Sequence, residues 1–425
     1  MSTSPAAPHD AFAALRHRDF SIVTLNQFCL TLAILMQEVI VAYALYHLTR
    51  DPLVLGFIGL AEAIPFIALS LWGGYFADRY NRQIIMQICM VLSLPLPLIL
   101  SALFSSHEHS HLTAQQLSLG VYGIIFLMGT IRGFYSPAVT SLKPFLVPRN
   151  LYPNAATWTT IGWQSAVVLG PVTGGLLLGY LGLHSTLYLV TGLLLMCSVL
   201  LALLKRRSFP PIEHDSVLLS LSEGFRFIFK TKIIFWSISL DLVSVLFGGV
   251  VALLPIYADD ILKVGAEGLG LLRAAPSVGA LLMMVLLAKY PPTQHAWRNM
   301  LLAVAGFGIF TLVFAFSTTM WLSLLALALT GAFDSISVVV RQTILQIFPP
   351  ENLRGRVAAV NGMFVSSSNE LGAFESGVAA RYLTVIPATI LGGTITLLVA
   401  ALTYFKTRDL LNVDVEHSKP VEVKE

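Results

Sequence analysis

The chain has 425 residues, a formal net charge of +3 and a mean hydropathy of +0.77. Only 12% of its residues are charged, against about 25% in soluble domains, which argues against a soluble enzyme and for lipid-facing helices. So small a net charge also argues against a nucleic-acid partner.

Residues 1–19 are polar and mixed in charge, with no small-residue cleavage site after the first apolar run, so they read as a tail and not a signal peptide. Apolar runs then predict spans at 20–45, 53–77, 84–104, 117–141, 155–180 and 185–204. Six more follow at 233–256, 268–289, 299–317, 320–341, 356–380 and 385–405. Each is close to the length that crosses roughly 30 Å of hydrocarbon. A lipid core cannot satisfy a bare backbone, so all are expected to be helical. The prediction is an all-α polytopic membrane protein of twelve transmembrane helices in two six-helix bundles, 20–204 and 233–405, with tails at 1–19 and 406–425.

All but five of the 26 Lys and Arg fall on the side of the N-terminus. Arg50, Lys263 and Arg381 lie opposite; Arg132 and Arg273 lie within spans. The positive-inside rule therefore predicts a multi-pass cell (inner) membrane protein with both termini cytoplasmic. Between the bundles, the linker 205–232 opens on Lys205-Arg206-Arg207 and passes Pro210-Pro211. Leu218, Leu221, Phe225, Ile228 and Phe229 then recur at helical spacing opposite Ser222, Glu223 and Arg226, predicting an amphipathic helix on the cytoplasmic leaflet.

The second span ends in Gly73-Gly74-Tyr75-Phe76-Ala77-Asp78-Arg79-Tyr80-Asn81-Arg82-Gln83. This loop resembles the signature GxxxDRxGRR of the major facilitator superfamily: Gly74, Asp78, Arg79 and Arg82 match. Asn81 stands where glycine is usual, both tolerating a left-handed turn, and Gln83 replaces a basic residue. The resemblance implies a gating role. A carboxylate such as Asp78 can face the N-terminus of another helix, by family architecture the start of the eleventh span near Asn352 to Gly355. The bland alternative is a topogenic basic loop.

In the fifth span, Gly162, Gly170-Pro171 and Gly174-Gly175 resemble the glycine-proline motif of antiporters in this superfamily; ordinary close helix packing is the competing reading. Leu15-Arg16-His17-Arg18-Asp19-Phe20, Ile131-Arg132-Gly133-Phe134, Arg354-Gly355-Arg356-Val357 and the run from Asn369 to Gly377 add to the likeness. Together they resemble the bacterial drug and siderophore exporter branch, which includes the enterobactin exporter.

Ionisable residues within spans default to function. Six acids qualify: Glu38, Glu62, Asp241, Asp334, Glu370 and Glu375. Spans one, four, seven and ten line the cavity of this superfamily, so the resemblance turns Glu38, Arg132, Asp241 and Asp334 inward as proton-coupling candidates. Glu38 or Asp241 would carry the proton and Arg132 would modulate it. Glu62, Glu370 and Glu375, on the second and eleventh spans, are assigned to bundle interfaces, function and structural pairing remaining open for them. Asp334 is expected to pair with Arg341, and Arg273 to snorkel.

Phe28, Tyr43, Phe134, Tyr135, Trp163, Phe247 and Phe333 are candidate walls of an apolar cargo pocket, although packing roles are commoner. Cys29, Cys89 and Cys197 sit in apolar runs and read as buried thiols. His107, His109 and His111 read as a solvated turn in preference to a metal site. No metal, cofactor or catalytic constellation is expected, and no GxxxxGK[ST] loop appears, which argues against direct ATP drive. The leading reading is a monomeric secondary active exporter of a drug, siderophore or related metabolite, exchanged for protons by alternating access. The alternatives are a proton-coupled importer of a small metabolite and a non-transporting membrane scaffold.

Overall fold

The computed structural model describes residues 10–205, 217–411 and 413. Among these, helices are the only regular elements. They run as α1 (Arg18–Thr49), α2 (Pro52–Arg79), α3 (Arg82–Ser93), α4 (Pro95–Glu108), α5 (Ala114–Leu142), α6 (Tyr152–Ala202) and α7 (Val217–Lys230). Then follow α8 (Lys232–Gly248), α9 (Leu254–Ile256), α10 (Gly265–Lys289), α11 (Ala296–Ala315), α12 (Met320–Ile347), α13 (Glu351–Leu383) and α14 (Val385–Lys406).

Local chemistry sets the starts. Asp51 accepts a hydrogen bond from the Leu53 N–H, with Pro52 at the first helical position of α2. Thr113 and Gln116 close a capping box on α5. Asn81 does not take up a left-handed turn: its backbone is extended (φ −67°, ψ 113°), and its side chain accepts from the Gln83 and Ile84 N–H groups as the N-cap of α3.

Ten helical segments among the described residues are long and apolar enough to cross a membrane. The α3–α4 pair and the stretch from α8 through α9 to Ile261 each count once. So does α6, although its 51 residues, at about 1.5 Å each, exceed twice the roughly 30 Å of hydrocarbon. It breaks at Gly182 (φ 78°, ψ 175°), a conformation open essentially to glycine alone. The chain turns back there without a loop. Helix α13 has 33 residues but is too polar to qualify by hydropathy. Counting both limbs of α6 and adding α13 gives twelve crossings among the described residues, which fits the expected number.

Helices α1–α6 pack among themselves, as do α8 and α10–α14; the two groups meet along α2 against α13 and α6 against α10. Helix α7 corrects an expectation. Its apolar face does not simply lie on the leaflet but docks on α13: Phe227 and Ile228 are buried in a cluster with Val357 and Val360, Phe225 meets Phe364 edge-on at 5.7 Å, and Glu223 pairs with Arg356. Phe229 is left largely exposed. The basic run from Arg206 and Pro210-Pro211 lie outside the described residues. Beyond α14, Lys232 holds Asp409 at 2.8 Å, and its ammonium keeps that carboxyl below the usual carboxylate range. Cys29, Cys89 and Cys197 are free, buried thiols.

Candidate functional site

A cavity of about 520 Å³ lies between the two helix groups. Helical periodicity places its walls: Gln27, Thr31, Ile34 and Glu38 fall on one face of α1, and Ile131, Arg132, Tyr135 and Ser136 on one face of α5. Five ionisable side chains line it: Glu38, Glu62, Arg132, Arg273 and Glu370. Glu38 of α1 meets Arg273 of α10 at 3.0 Å, bridging the groups. Arg132 of α5 meets Glu62 of α2 at 2.5 Å, with its guanidinium 5.0 Å from the centre of the Phe66 ring. Glu370 of α13 has no ion-pair partner among the described residues. Its carboxylate lies beside Gly59 of α2, where a Cβ would stand 3.5 Å from Oε2. Three carboxyls against two guanidiniums make the ionised cavity net negative by one charge.

A second, far smaller chamber, about 10 Å³, lies within the second group and is lined by Asp241, Ser244, Asp334 and Ser337. Asp241 pairs with Arg341, both almost wholly buried. Val245 lines both this chamber and the central cavity.

At one end the groups are latched together. Arg50 bonds both Asp259 and Asp260; Tyr43 donates to Asp259 at 3.1 Å, Tyr46 donates to Asp260, and His47 lies 3.2 Å from Asp259. Arg381 meets Asp51 at 2.8 Å. Arg50 caps α1 in the left-handed region (φ 53°). The latch pins α1 to the turn Tyr257–Ile261 and α2 to α13.

In the first limb of α6, Gly170, Gly174 and Gly175 serve close approach toward the same end. A Cβ on Gly174 would stand 2.9 Å from the Met36 Cα, and one on Gly175 2.4 Å from the Ala266 carbonyl oxygen across the seam. Gly170 abuts Leu35, Gly162 touches Thr24 at ordinary distance, and the Pro171 carbonyl lies against Gly270. Gly175→Ala is therefore expected to shift molecules away from the closed end. The measurement is labelling of a single Ala42→Cys, beneath the latch, by an impermeant thiol reagent from that side. Unchanged labelling would show that the seam absorbs the methyl.

At the opposite end, Asp78 and Arg82 approach to 3.9 Å. Arg82 is buried, its Nε donating to the Ala77 carbonyl and its guanidinium 5.0 Å from the Phe145 ring centre; Arg79 lies 4.5 Å from the ring centre of Tyr75. Gln83, in the usually basic position, donates to the Lys205 carbonyl at 2.8 Å. Gly74 faces open space; Gly73 carries the close helix contact, a Cβ there standing 2.2 Å from the Gly133 carbonyl oxygen.

The family model of the Major Facilitator Superfamily matches residues 23–373. The chain belongs to that superfamily. Among curated relatives, it is 26% identical over 333 residues to "Multidrug resistance protein MdtG" of Serratia proteamaculans, covering 76% of this chain and 77% of the relative. To "Enterobactin exporter EntS" of Escherichia coli K12 it is 25% identical over 423 residues, 92% of this chain and 94% of that one. Solved structures share the fold. A bacterial homolog of the human lysosomal transporter Spinster, inward-facing and unoccupied, superposes with TM-score 0.71 at 16% identity, covering 93% of this chain and 98% of that one. A D-xylose–proton symporter superposes with TM-score 0.70 at 13% identity, covering 94% and 100%.

Within the superfamily frame, several expected placements change. Glu38 and Arg132 do line the cavity, but Arg132 is engaged by Glu62, and the partner of Glu38 is Arg273. Arg273 does not snorkel; its side chain is 8% exposed. Glu62 and Glu370 belong to the cavity wall as well as to a helix interface. Asp241 and Asp334 line the separate chamber, not the cavity, and Arg341 pairs with Asp241, not with Asp334. Glu375 is half-buried and lines neither space, whereas Ser376 next to it donates to the Gly249 carbonyl at 3.2 Å.

Of the aromatic candidates, Tyr135 and Trp163 line the cavity. Tyr43 belongs to the latch, Phe134 packs on Phe76, and Phe333 stacks on Phe310. The Tyr135 hydroxyl donates to Asn26 at 2.6 Å, leaving its ring face to the cavity. In the turn after α4, His107 and His109 each bond a backbone carbonyl through Nδ1.

Proposed function

We propose that this transporter is a secondary active exporter that exchanges a small apolar or cationic molecule for protons by alternating access. The observation that carries the reading is the central cavity: about 520 Å³ between two helix groups, with one carboxyl more than its guanidiniums neutralise. That volume suits a drug-sized molecule. Tyr135 and Trp163 offer apolar contact, and Gln27 supplies a polar group.

The unbalanced charge is the basis for exchange. Glu370 faces α2 across one seam, and the Glu38–Arg273 pair spans the space between α1 and α10. Rocking one group against the other changes both environments, so a carboxyl can hold a proton in one state and yield it to a cationic cargo in the other. The low-identity likeness to MdtG and EntS favours export of a drug or siderophore-type metabolite. By the positive-inside rule both termini are cytoplasmic in the inner membrane, residues 20–204 and 233–405 are the moving halves, and the latched end faces outward. The Asp78–Arg82 loop and the Gly170–Gly175 stretch are then the gates at the inner and outer ends.

The test uses inverted membrane vesicles, a pH-sensitive dye, and a panel of lipophilic cations and siderophores. Cargo-dependent collapse of the proton gradient is expected. Glu38→Gln and Glu370→Gln should reduce it by roughly tenfold or more, within the coupling range of about 1–3 kcal/mol. Gradient collapse of wild-type size in both variants would overturn the assignment of proton exchange to this cavity, and cargo accumulation in right-side-out vesicles would reverse the direction.

A further inference from the structure

The far end of α14 carries a surface that transport through the cavity does not use. Leu398, Leu402 and Phe405 share one exposed face of this helix, while Thr396, Ala400 and Thr403 share the buried one. The exposed face is a lipid-facing stripe, and it ends in Lys406 and Arg408, both exposed. The Lys406 ammonium lies 5.8 Å from the ring centre of Trp236 on α8. The Arg408 guanidinium lies 5.8 Å from the ring centre of Tyr404 and 5.0 Å from that of Phe405. Rings continue the patch sideways: Phe235 meets Trp236 at 5.6 Å and Phe229, near the end of α7, at 5.5 Å. Exposed Lys230 follows Phe229.

The patch is short of negative charge. Among the described residues, Lys230, Lys406 and Arg408 have no carboxylate partner, and Asp409, next to Arg408, is held by Lys232. The cations are also fixed in place. Trp297 of α11 donates at 2.8 Å to Oγ1 of buried Thr407, which stands between Lys406 and Arg408, and the Lys232–Asp409 pair ties the chain beyond to α8. A site ordered in advance loses little freedom on binding. A cation resting on a ring keeps N–H donors free for a phosphate. Cations and amphipathic rings at the depth where an apolar stripe stops stand at the level of lipid headgroups. A second copy of this chain would bring the same positive patch against it, and a zwitterionic lipid brings a cation of its own.

We propose that this patch binds an anionic phospholipid of the surrounding bilayer. Its phosphate sits on Lys406 and Arg408 with Lys230 at the edge, and an acyl chain lies along Leu398, Leu402 and Phe405. Trp236 and Tyr404 flank the headgroup. The lipid ties the ends of α7, α8 and α14 to one molecule and so fixes the second helix group to the membrane surface. The binding does not rest on the proposed exchange of cargo for protons.

The test is native mass spectrometry of the purified, delipidated full chain with phosphatidylglycerol or phosphatidylcholine added back. Phosphatidylglycerol is expected to stay bound as a one-to-one adduct and to raise the thermal midpoint; phosphatidylcholine is expected to do neither. Lys406→Gln and Arg408→Gln should each weaken retention by about fivefold, the effect of one cation at an anionic membrane surface, and the double variant by more. The single variants keep the result readable if the double variant does not fold. Arg149→Gln, which removes a cation elsewhere, should change nothing. Equal retention of the two lipids, or wild-type retention in the double variant, would overturn the site. Equal stabilisation by soluble glycerol phosphate would overturn it in favour of a free anion. A lipid-free dimer that the double variant loses would overturn it in favour of a contact between copies.

Discussion

Arg341→Met is expected to be the most destabilising single substitution in the second helix group, lowering stability by about 3–5 kcal/mol. Arg341 and Asp241 form the most deeply buried ion pair among those described, with side chains 3% and 5% exposed. Removing the guanidinium leaves Asp241 and Asp334 in one chamber with no cation beside them. Asp241→Asn should cost markedly less, because Asp334 remains within the same small space as an alternative partner for Arg341. The Asp241→Leu, Arg341→Met double variant should recover much of the loss, since two apolar groups replace the pair and no charge is stranded. Thermal unfolding of the detergent-purified proteins gives the order. Equal losses for Arg341→Met and Asp241→Asn would show that Asp334 does not compensate.

The second large effect is expected at the latch. Replacing both acids, Asp259→Asn with Asp260→Asn, removes the anionic partners of Arg50 and weakens the contacts of Tyr43, Tyr46 and His47 with this turn. Individual exposed pairs are worth about 0.2–1 kcal/mol, but they converge here on one turn and break together. A summed loss of about 1–3 kcal/mol shifts the balance between states by roughly 5–150-fold. The expected result is a protein still folded but opened at the Arg50 end, read as faster labelling of Ala42→Cys from that side. Arg381→Ala, which breaks the neighbouring pair with Asp51, should act in the same direction and less strongly. Labelling at the wild-type rate in the double variant would mean that the glycine contacts at Gly174 and Gly175 hold that end shut without the charges.

Much of the architecture is legible in hydropathy, because a lipid-crossing segment must be long, apolar and helical. Three of the expected spans, 155–180, 185–204 and 356–380, are less plain in the helices than the others, for physical reasons. The α6 turn at Gly182 carries no polar loop, so the two limbs run together as one helix. Helix α13 spends its apolarity on a polar seam, with Asn361, Ser368 and Ser376 buried in it. The site was legible in its membership and not in its pairing. Each of Glu38, Arg132 and Glu62 stands out as a charge in an apolar run, but hydropathy reports depth along a helix and not the direction a residue faces. The rotation of α1 against α10 that brings Glu38 to Arg273 depends on how closely α6 approaches both, and that is set by Gly170, Gly174 and Gly175. Asp241 is the reverse case: the seventh span was expected at the cavity, and α8 is there, but through Val245, while Asp241 faces Arg341 on the other side.

The connections at the latched end have a practical consequence. Arg50 and Asp51 join α1 to α2, Gly182 alone turns α6 back on itself, and Thr384 alone joins α13 to α14. Connections of one or two residues offer a protease almost no extended backbone to grip and give an antibody few epitopes. Only the stretch from His109 to Thr113 stands between helices there with room to spare among the first four connections. Affinity tags, fluorophores and fusion partners placed at Arg50-Asp51, Gly182 or Thr384 would have to unwind a helix first, so residues 109–113, and residues 316–319 between α11 and α12, are where a reporter belongs.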